Sequence, residues 1–275
     1  MKKIFSHRTA AWLIPLVFIV LIFSNADVPV LGFWELKTRD LRFVVRGQEK
    51  PGDDVVILAI DENSLNRIGR WPWSRSVMAN AITLLKQGGA TAVALDLIFS
   101  EPEVTVNLKL IQNLISEYTR LGLLGDTLES QEFFSKMVGM SEQENHDETL
   151  VQALHSAQNV VLPMAFADGQ SADIFPLRQF IEASPRLGFV NIRPDADGAI
   201  RRSIAVIRTR DERFLSLPIR AIQKHLNLKS KEIRFLPENN EIRLGTLPIF
   251  TDSEAMVYIN HYGKTVRSAL IHSQT

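Results

Sequence analysis

An unbroken apolar run near the N-terminus constrains this chain most. Residues 10–23 (AAWLIPLVFIVLIF) are all apolar and follow the basic residues Lys2, Lys3 and Arg8. A basic start before an apolar run is typical of a cleaved signal peptide or of an uncleaved membrane anchor. As a helix the run spans about 21 Å, whereas the hydrocarbon core of a bilayer is about 30 Å thick. An anchor must therefore extend further, and we predict a transmembrane helix over residues 10–31.

The flanking residues predict the orientation of this anchor. Because basic residues precede the apolar run, the positive-inside rule places residues 1–9 in the cytoplasm. Residues 32–275 would then be extracytoplasmic (periplasmic), behind a single pass through the inner, cytoplasmic membrane. Cleavage near Ser24-Asn25-Ala26, a poor match to a cleavage site, and a buried core helix are the alternatives.

Charge and composition exclude several classes of protein. The 31 Lys and Arg residues balance 31 Asp and Glu residues, so the chain lacks the basic footprint of nucleic-acid binding. The absence of cysteine excludes disulfides, thiolate metal sites and iron–sulfur clusters. A length of 275 residues allows one large domain or two small ones.

Two apolar runs separated by a helical pattern predict an α/β fold. Residues 55–60 and 91–95 are continuous apolar runs with β-branched residues, as in strands buried on both faces of a parallel sheet. Between them Ser74 is a candidate N-cap, and Gly88-Gly89 would end the helix. We predict a mixed sheet with a parallel strand–helix–strand core.

Beyond residue 102 the pattern becomes helical and later returns to strands. Residues 103–147 form a predicted helical insertion, because their apolar residues recur at helical spacing. Further strands are predicted at 159–164, 187–192, 200–207, 242–244 and 256–260, with another helix around 215–226.

Asp61 and Asp96 directly follow the two predicted strands, at the edge where ligands bind in open α/β sheets. Two carboxylates at such an edge could hold Mg²⁺, which would suit a periplasmic metal-dependent hydrolase. Each could instead cap the loop amides that follow its strand. No nucleophile or lysine stands at a matching strand end, so capping is the preferred interpretation.

The segment Gly69-Arg70-Trp71-Pro72-Trp73-Ser74-Arg75 is the most specific local feature. Its two indoles and two arginines could form a ligand cleft with aromatic walls and a cationic group. Alternatively, the indoles fill the sheet edge while an arginine pairs with one of the two strand-end carboxylates. The candidate ligand-binding residues are Asp61, Arg70, Trp71, Trp73, Arg75 and Asp96.

No motif predicts a catalytic, metal or cofactor site. Asp195-Ala196-Asp197-Gly198 resembles the start of a calcium loop, but the twelfth position is Val206 instead of Glu, so we predict a hairpin turn. The six histidines are scattered, and no phosphate-binding glycine loop is present. We therefore predict no catalytic residue, no metal and no cofactor.

Several segments together resemble the CHASE sensory domain, type two. The resemblance runs from about Asp40 to Gly263 and implies a bacterial extracytoplasmic sensor behind a first membrane helix. In full-length relatives this sensor is coupled to a cytoplasmic adenylate or guanylate cyclase or to a kinase, so the domain itself is not expected to be an enzyme. The segments are Asp40-Leu41-Arg42-Phe43, residues 55–64, 69–75, 89–102, 159–163 and 191–198, and Arg201-Arg202.

Two departures from the family accompany this resemblance. The insertion at 103–147 is longer than in compact members, and a scaffold whose insertion binds a partner is a third hypothesis. The chain also ends soon after Gly263, without the family's closing strand and later membrane helices. We therefore expect residues 32–275 to be an incomplete sensory domain of marginal stability, because the sheet would keep an unpaired edge. Expected partners are the membrane, an unknown small-molecule or protein stimulus and a second copy in a homodimer, but not nucleic acid.

Overall fold

The computed structural model describes residues 29–125, 127–167, 172–209 and 212–263. The predicted anchor at 10–31 lies outside this part of the chain, except for its last three residues. Among the described helices, none combines the length and apolar character needed to cross a bilayer. The chain divides into two compact units, Met1–Ala59 with Asn260–Thr275, and Ile60–Ile259.

The first unit is organised around helix α1, Pro29–Arg46. The guanidinium of Arg46 donates to the Asn260 side chain at 2.6 Å and to the carbonyl of His261. The ring of Phe43 meets His261 edge-on, with 5.5 Å between ring centroids. These contacts join the end of α1 to the returning segment 260–263.

Residues 55–60, predicted as a buried strand, are neither a strand nor buried. Their first four side chains expose between 48 and 81 % of their surface, and the segment has no regular structure. The strand prediction is therefore wrong here, and so is the expectation that Asp61 and Asp96 follow neighbouring strands. β-Propensity largely reflects packing against neighbouring strands, and no described strand pairs with this segment.

A parallel sheet forms the centre of the second unit. It contains β1 (Val93–Ala94), β2 (Val160–Met164) and β3 (Leu187–Phe189), in the order β1-β2-β3. Both pairs are parallel, and all five residues of β2 are buried. The predicted parallel pairing of residues 55–60 with 91–95 is therefore wrong, and β1 pairs instead with the strand predicted at 159–164, which pairs with the one predicted at 187–192. All three strands are shorter than predicted.

Helices pack against this sheet through buried apolar faces. Met78 and Ile82 share one core cluster with Leu150, Leu154 and strand β2. The helix predicted between Ser74 and Gly88 is confirmed, because those two residues are its caps. The helices of this unit are α2 (Glu62–Ile68), α3 (Arg75–Gln87), α4 (Val106–Arg120), α5 (Leu128–Gln143), α6 (His146–Ala157), α7 (Arg178–Ala183) and α8 (Leu217–His225).

The predicted helical character of residues 103–147 is confirmed, because most of this region forms α4 and α5, which pack against each other. The remaining strands are short and antiparallel. Those at 202–204, 206–208, 241–244 and 256–258 lie near the positions predicted at 200–207, 242–244 and 256–260, whereas those at 213–215, 233–236 and 247–250 were not predicted. β4 (Arg202–Ile204) pairs with β10 (Met256–Tyr258), and β5 (Val206–Arg208) pairs with β6 (Arg213–Leu215). A meander follows from β7 (Ile233–Leu236), β8 (Glu241–Leu244) and β9 (Leu247–Phe250).

Candidate functional site

A partly buried polar cluster lies where helices α3 and α6 begin. It contains Ser74 and Arg75 from the start of α3, Glu103 from the loop before α4, and His146 and Asp147 from the start of α6. We call these five residues the polar cluster. Ser74 caps α3 through its side chain, so the helix start itself fixes the position of Arg75.

Glu103 is at the centre of the contacts within the polar cluster. Its Oε2 accepts a hydrogen bond from the Arg75 amide at 2.6 Å, and its own amide donates to Asp147 Oδ2 at 3.0 Å. Its Oε1 lies 3.3 Å from His146 Nδ1, which is also 2.6 Å from Ser74 Oγ. The loop at Glu103 therefore links the first turns of two helices.

Asp147 is the buried carboxylate of the polar cluster. It is 5 % exposed, and this burial raises the pKa of its carboxyl, against the opposing effects of the Glu103 amide and the Arg75 charge. Asp147 Oδ1 lies 3.5 Å from Arg75 Nε, and neither atom has a hydrogen-bond partner. A buried ion pair without a good hydrogen bond recovers little of its desolvation cost, so the local structure is sensitive to the charge on Asp147.

Arg75 connects the polar cluster to the hydrophobic core. Its guanidinium lies over the ring of Phe99, 4.2 Å from the centroid, and its Nη2 donates to the carbonyl of Glu101 at 3.1 Å. Phe99 is buried and meets Phe180 edge-on. A change in the position of Arg75 would therefore alter the packing around Phe99 in the hydrophobic core.

An open cleft of about 390 Å³ borders the polar cluster. It is lined by Glu103 and Asp147, by residues of α4 such as Gln112, and by Leu177 and Arg178 at the start of α7. Its size falls in the range of small-molecule pockets, about 300–1,000 Å³. The cleft places a mixed polar and apolar surface directly beside the buried carboxylate.

The two tryptophans of the 69–75 loop differ in their environment. Trp73 packs against the core, and its Nε1 donates to the carbonyl of Gly69 at 2.7 Å. Trp71 meets it edge-on at 5.7 Å between centroids, while 38 % of its own surface is exposed. The peptide bond from Trp71 to Pro72 is cis. Trp73 therefore has the structural role of filling the core, whereas Trp71 and the exposed Arg70 face solvent.

The structure separates the other predicted site residues. Asp61 caps α2, because its Oδ1 accepts from the amide and the hydroxyl of Ser64 at 2.9 and 2.7 Å, and these bonds lower its pKa. The capping interpretation is confirmed for Asp61. Asp96 is exposed and, among the described residues, accepts no hydrogen bond, so the capping prediction is wrong there. Arg75 pairs with Asp147 instead of either strand-end carboxylate.

Three members of the polar cluster were not predicted from the sequence. Glu103, His146 and Asp147 stood out only as boundaries of the helical insertion or as a scattered histidine. Their role depends on contacts with residues 74–75, which are far away in the sequence. No local sequence motif predicts contacts between such distant segments. Within the described part of the chain, no group of three or more His, Asp or Glu residues could hold a metal ion.

A second group of charges surrounds the predicted turn at Asp195. The turn is confirmed by the Gly198 amide, which donates to the Asp195 carbonyl at 2.8 Å. Arg201 Nη1 lies 2.7 Å from Asp197 and 3.2 Å from Asp195. Arginines occupy the carboxylates that a calcium loop would offer, so the group stabilises the turn.

Arg202 extends this group to the turn before β10. It donates to Asp195 at 2.8 Å and to Asp252 at 2.9 Å. Burial alone would lower the pKa of Arg202, but its hydrogen bonds to Asp252 and Asp195 outweigh burial and raise it. Asp195, Asp197, Arg201, Arg202 and Asp252 together form what we call the charge network.

The family to which this chain belongs follows from its match to a family model of extracytoplasmic sensory domains. Residues 13–273 match the family model of the CHASE2 domain, and the chain therefore belongs to that family. The resemblance found in the sequence motifs is thereby confirmed. No curated protein and no solved structure shows significant similarity to the chain.

Proposed function

We propose that this chain is the signal-input domain of a bacterial membrane receptor. Membership of the CHASE2 family over residues 13–273 carries the proposal. The basic and apolar N-terminal segment supports an anchor at 10–31 in the inner membrane, with the domain on the periplasmic side. In this proposal the domain catalyses no reaction and is coupled to a cytoplasmic cyclase or kinase.

The cleft beside the polar cluster is the proposed input site. A small molecule in this cleft would contact Glu103 and Asp147 directly. Because these residues hold the first turns of α3 and α6 together, a ligand that binds one arrangement better than another would shift the two helices relative to each other. Arg75 is the predicted ligand-binding residue that the geometry favours most, since it contacts both residues.

The location of the domain can be tested with topology reporters. Alkaline phosphatase, which is active only outside the cytoplasm, is joined after residue 263 in one fusion, and a cytoplasmic fluorescent protein in another. We expect phosphatase activity without fluorescence. Fluorescence without phosphatase activity would contradict the periplasmic location.

The input role can be tested in a chimaera in which the chain precedes the membrane helices and cyclase of another CHASE2 receptor. We expect Arg75→Ala to change basal cyclic-nucleotide output at least about twofold, because it alters the link between two helices. Asp96→Ala, at an exposed carboxylate, is the matched control. Equal output from both variants, and from a chimaera lacking the domain, would contradict the proposal.

A test for catalysis guards against the alternative of a metal-dependent hydrolase. Purified chain is assayed with Mg²⁺ and an aryl phosphate. We expect no turnover above background. Phosphatase activity that is present in the wild type and lost in Asp61→Asn would replace the sensor proposal with the hydrolase.

A further inference from the structure

Helix α4 has two apolar faces, and the described residues of the chain cover only one of them. Leu108 is buried on the covered face, where Tyr118 lies 5.7 and 6.0 Å from the rings of Phe133 and Phe134 of α5. The opposite, solvent-facing side of a helix in a globular protein ordinarily carries charged and polar residues. On α4 a second apolar face takes up part of that side.

The uncovered face consists of Val106, Leu110, Leu114 and Leu121. Their spacing of four, four and seven residues places them on one side of the helix. Each exposes between 55 and 74 % of its surface. Helical spacing and exposure together describe a stripe that no described element of the chain covers.

Three further exposed leucines lie in the connection that follows α4 and at the first residue of α5. Leu123, Leu124 and Leu128 expose between 49 and 78 % of their surface. We call these three and the four residues on α4 the insertion stripe. Contiguous apolar patches of this kind on a soluble domain mark interaction sites.

The charge beside the insertion stripe is neutralised within its own helix. Glu117 lies on the same side of α4 as the stripe, and Arg120 contacts it through two bonds of 2.8 and 2.6 Å. These bonds lower the pKa of Glu117 and raise that of Arg120. Because this ion pair adds no net charge, it gives the stripe no particular attraction for an anionic lipid or a charged peptide, whereas an apolar stripe is complementary to a second copy of itself.

The exposed area fits an interface between two copies. Burying a leucine fully removes on the order of 100 Å² from water at about 25 cal/mol/Å², so covering the seven partly exposed side chains would remove on the order of 400 Å². If about 65 % of an interface core is apolar, each partner would bury roughly 600 Å². The total of about 1,200 Å² lies at the lower end of specific interfaces.

We propose that a second copy of this chain packs on the insertion stripe in a two-fold symmetric dimer. Symmetry makes the same patch serve both partners, so an apolar and locally neutral stripe needs no separate complement. The modest area predicts a dimer of moderate affinity that anchoring of both copies in one membrane would favour. The proposal does not depend on which signal the domain receives.

Disulfide cross-linking tests this dimer directly, because the full chain contains no cysteine. Leu114→Cys places a thiol at the middle of the stripe, close to the two-fold axis. Ser116→Cys, on the same helix but on its other side, is the matched control. With the full chain in bacterial membranes and a mild oxidant, we expect a band of twice the chain mass for Leu114→Cys only. Absence of that band, or equal bands for both variants, would overturn the proposal.

Dissociation of the purified full chain in detergent provides a second measurement. We expect Leu110→Lys to raise the dimer dissociation constant at least about tenfold, because a charge would be buried opposite its copy. Ser116→Lys should leave the constant within about twofold, and circular dichroism should show both variants folded. A monomeric wild type, or a photo-cross-linker at position 114 that labels lipid instead of a second chain, would contradict the dimer.

Discussion

Two apolar runs of similar sequence have opposite environments in this protein. Residues 55–60 (VVILAI) are exposed and irregular, whereas Val160–Met164 (VVLPM) is a strand with every residue buried. Both begin with two valines, and both segments were predicted to be strands, the first of them buried on two faces. The difference lies in their neighbours, because β2 pairs with a parallel strand on each side. An apolar run becomes a buried strand only where neighbouring strands pair with it.

The same contrast holds for charged side chains. Asp195 and Arg201 have side chains that are only a few per cent exposed, and each has more than one partner. Arg178 and Glu182 form a pair of 2.7 Å that is almost fully exposed. We therefore expect a buried ion pair to contribute more to the free energy of unfolding than an exposed one. Matched substitutions at the two sites can test this expectation.

The largest effect is expected in the charge network. Asp195→Ala removes a buried carboxylate that both Arg201 and Arg202 contact, which should lower the unfolding free energy by about 3–5 kcal/mol. Glu182→Ala, at the exposed pair, should cost less than about 1 kcal/mol. Urea unfolding of the full chain measures both. Similar costs at the two sites would show that the network is solvated and not buried.

The two apolar runs can be compared with one substitution in each. Leu162→Ala should lower the unfolding free energy by about 2–5 kcal/mol, because it opens a cavity beside the central strand. Leu58→Ala should change it by less than about 0.5 kcal/mol. A large cost for Leu58→Ala would mean that residues 55–60 are buried in solution, and the contrast between the two runs would fail.

Two glycines extend the comparison to backbone packing. A Cβ at Gly188 of β3 would lie 2.6 Å from Leu217 Cα, whereas a Cβ at Gly139 of α5 meets nothing within 4 Å. Gly188→Ala should therefore destabilise by about 1–3 kcal/mol. Gly139→Ala should stabilise by about 0.5–1 kcal/mol, since alanine favours a helix. Thermal unfolding should move the melting temperature in opposite directions.

The smallest effect expected is on pH dependence, and its sign differs between two aspartates. Because burial raises the pKa of Asp147 above its ordinary value of 3.8, the native state holds that proton longer than the unfolded state. The contribution of Asp147 to stability therefore falls as pH rises from 3.8 through the raised pKa. Asp147→Asn should remove this fall in the difference between mutant and wild-type unfolding curves.

Asp61 supplies the matched control of opposite sign. Its pKa is lowered by its bonds to Ser64, so its contribution is present above pH 3.8 and is lost as pH falls through the lowered pKa. Asp61→Asn should remove that loss. If the two variants changed the pH dependence of the unfolding free energy in the same direction, the conclusion that burial raises the pKa of Asp147 would be contradicted.

Local signals explain most of what the sequence predicted correctly. Ser74 and Gly88 set the bounds of α3 because capping is decided within a few residues. Likewise, the turn at Asp195 follows from its own aspartates and glycine. The polar cluster was missed because Ser74 and His146 meet across 72 residues, and nothing in either segment specifies the other.

The tie between α1 and the returning chain has a mechanical consequence. On α1, Arg46 donates to the side chain of Asn260, and the ring of Phe43 contacts that of His261. Just after the helix, the amide of Glu49 donates to the carbonyl of Tyr262 at 3.0 Å. These contacts hold the C-terminal end of α1 and the residues just after it against residues 260–262. A displacement of α1 along its axis would therefore also displace residues 260–263, and the two segments would move together.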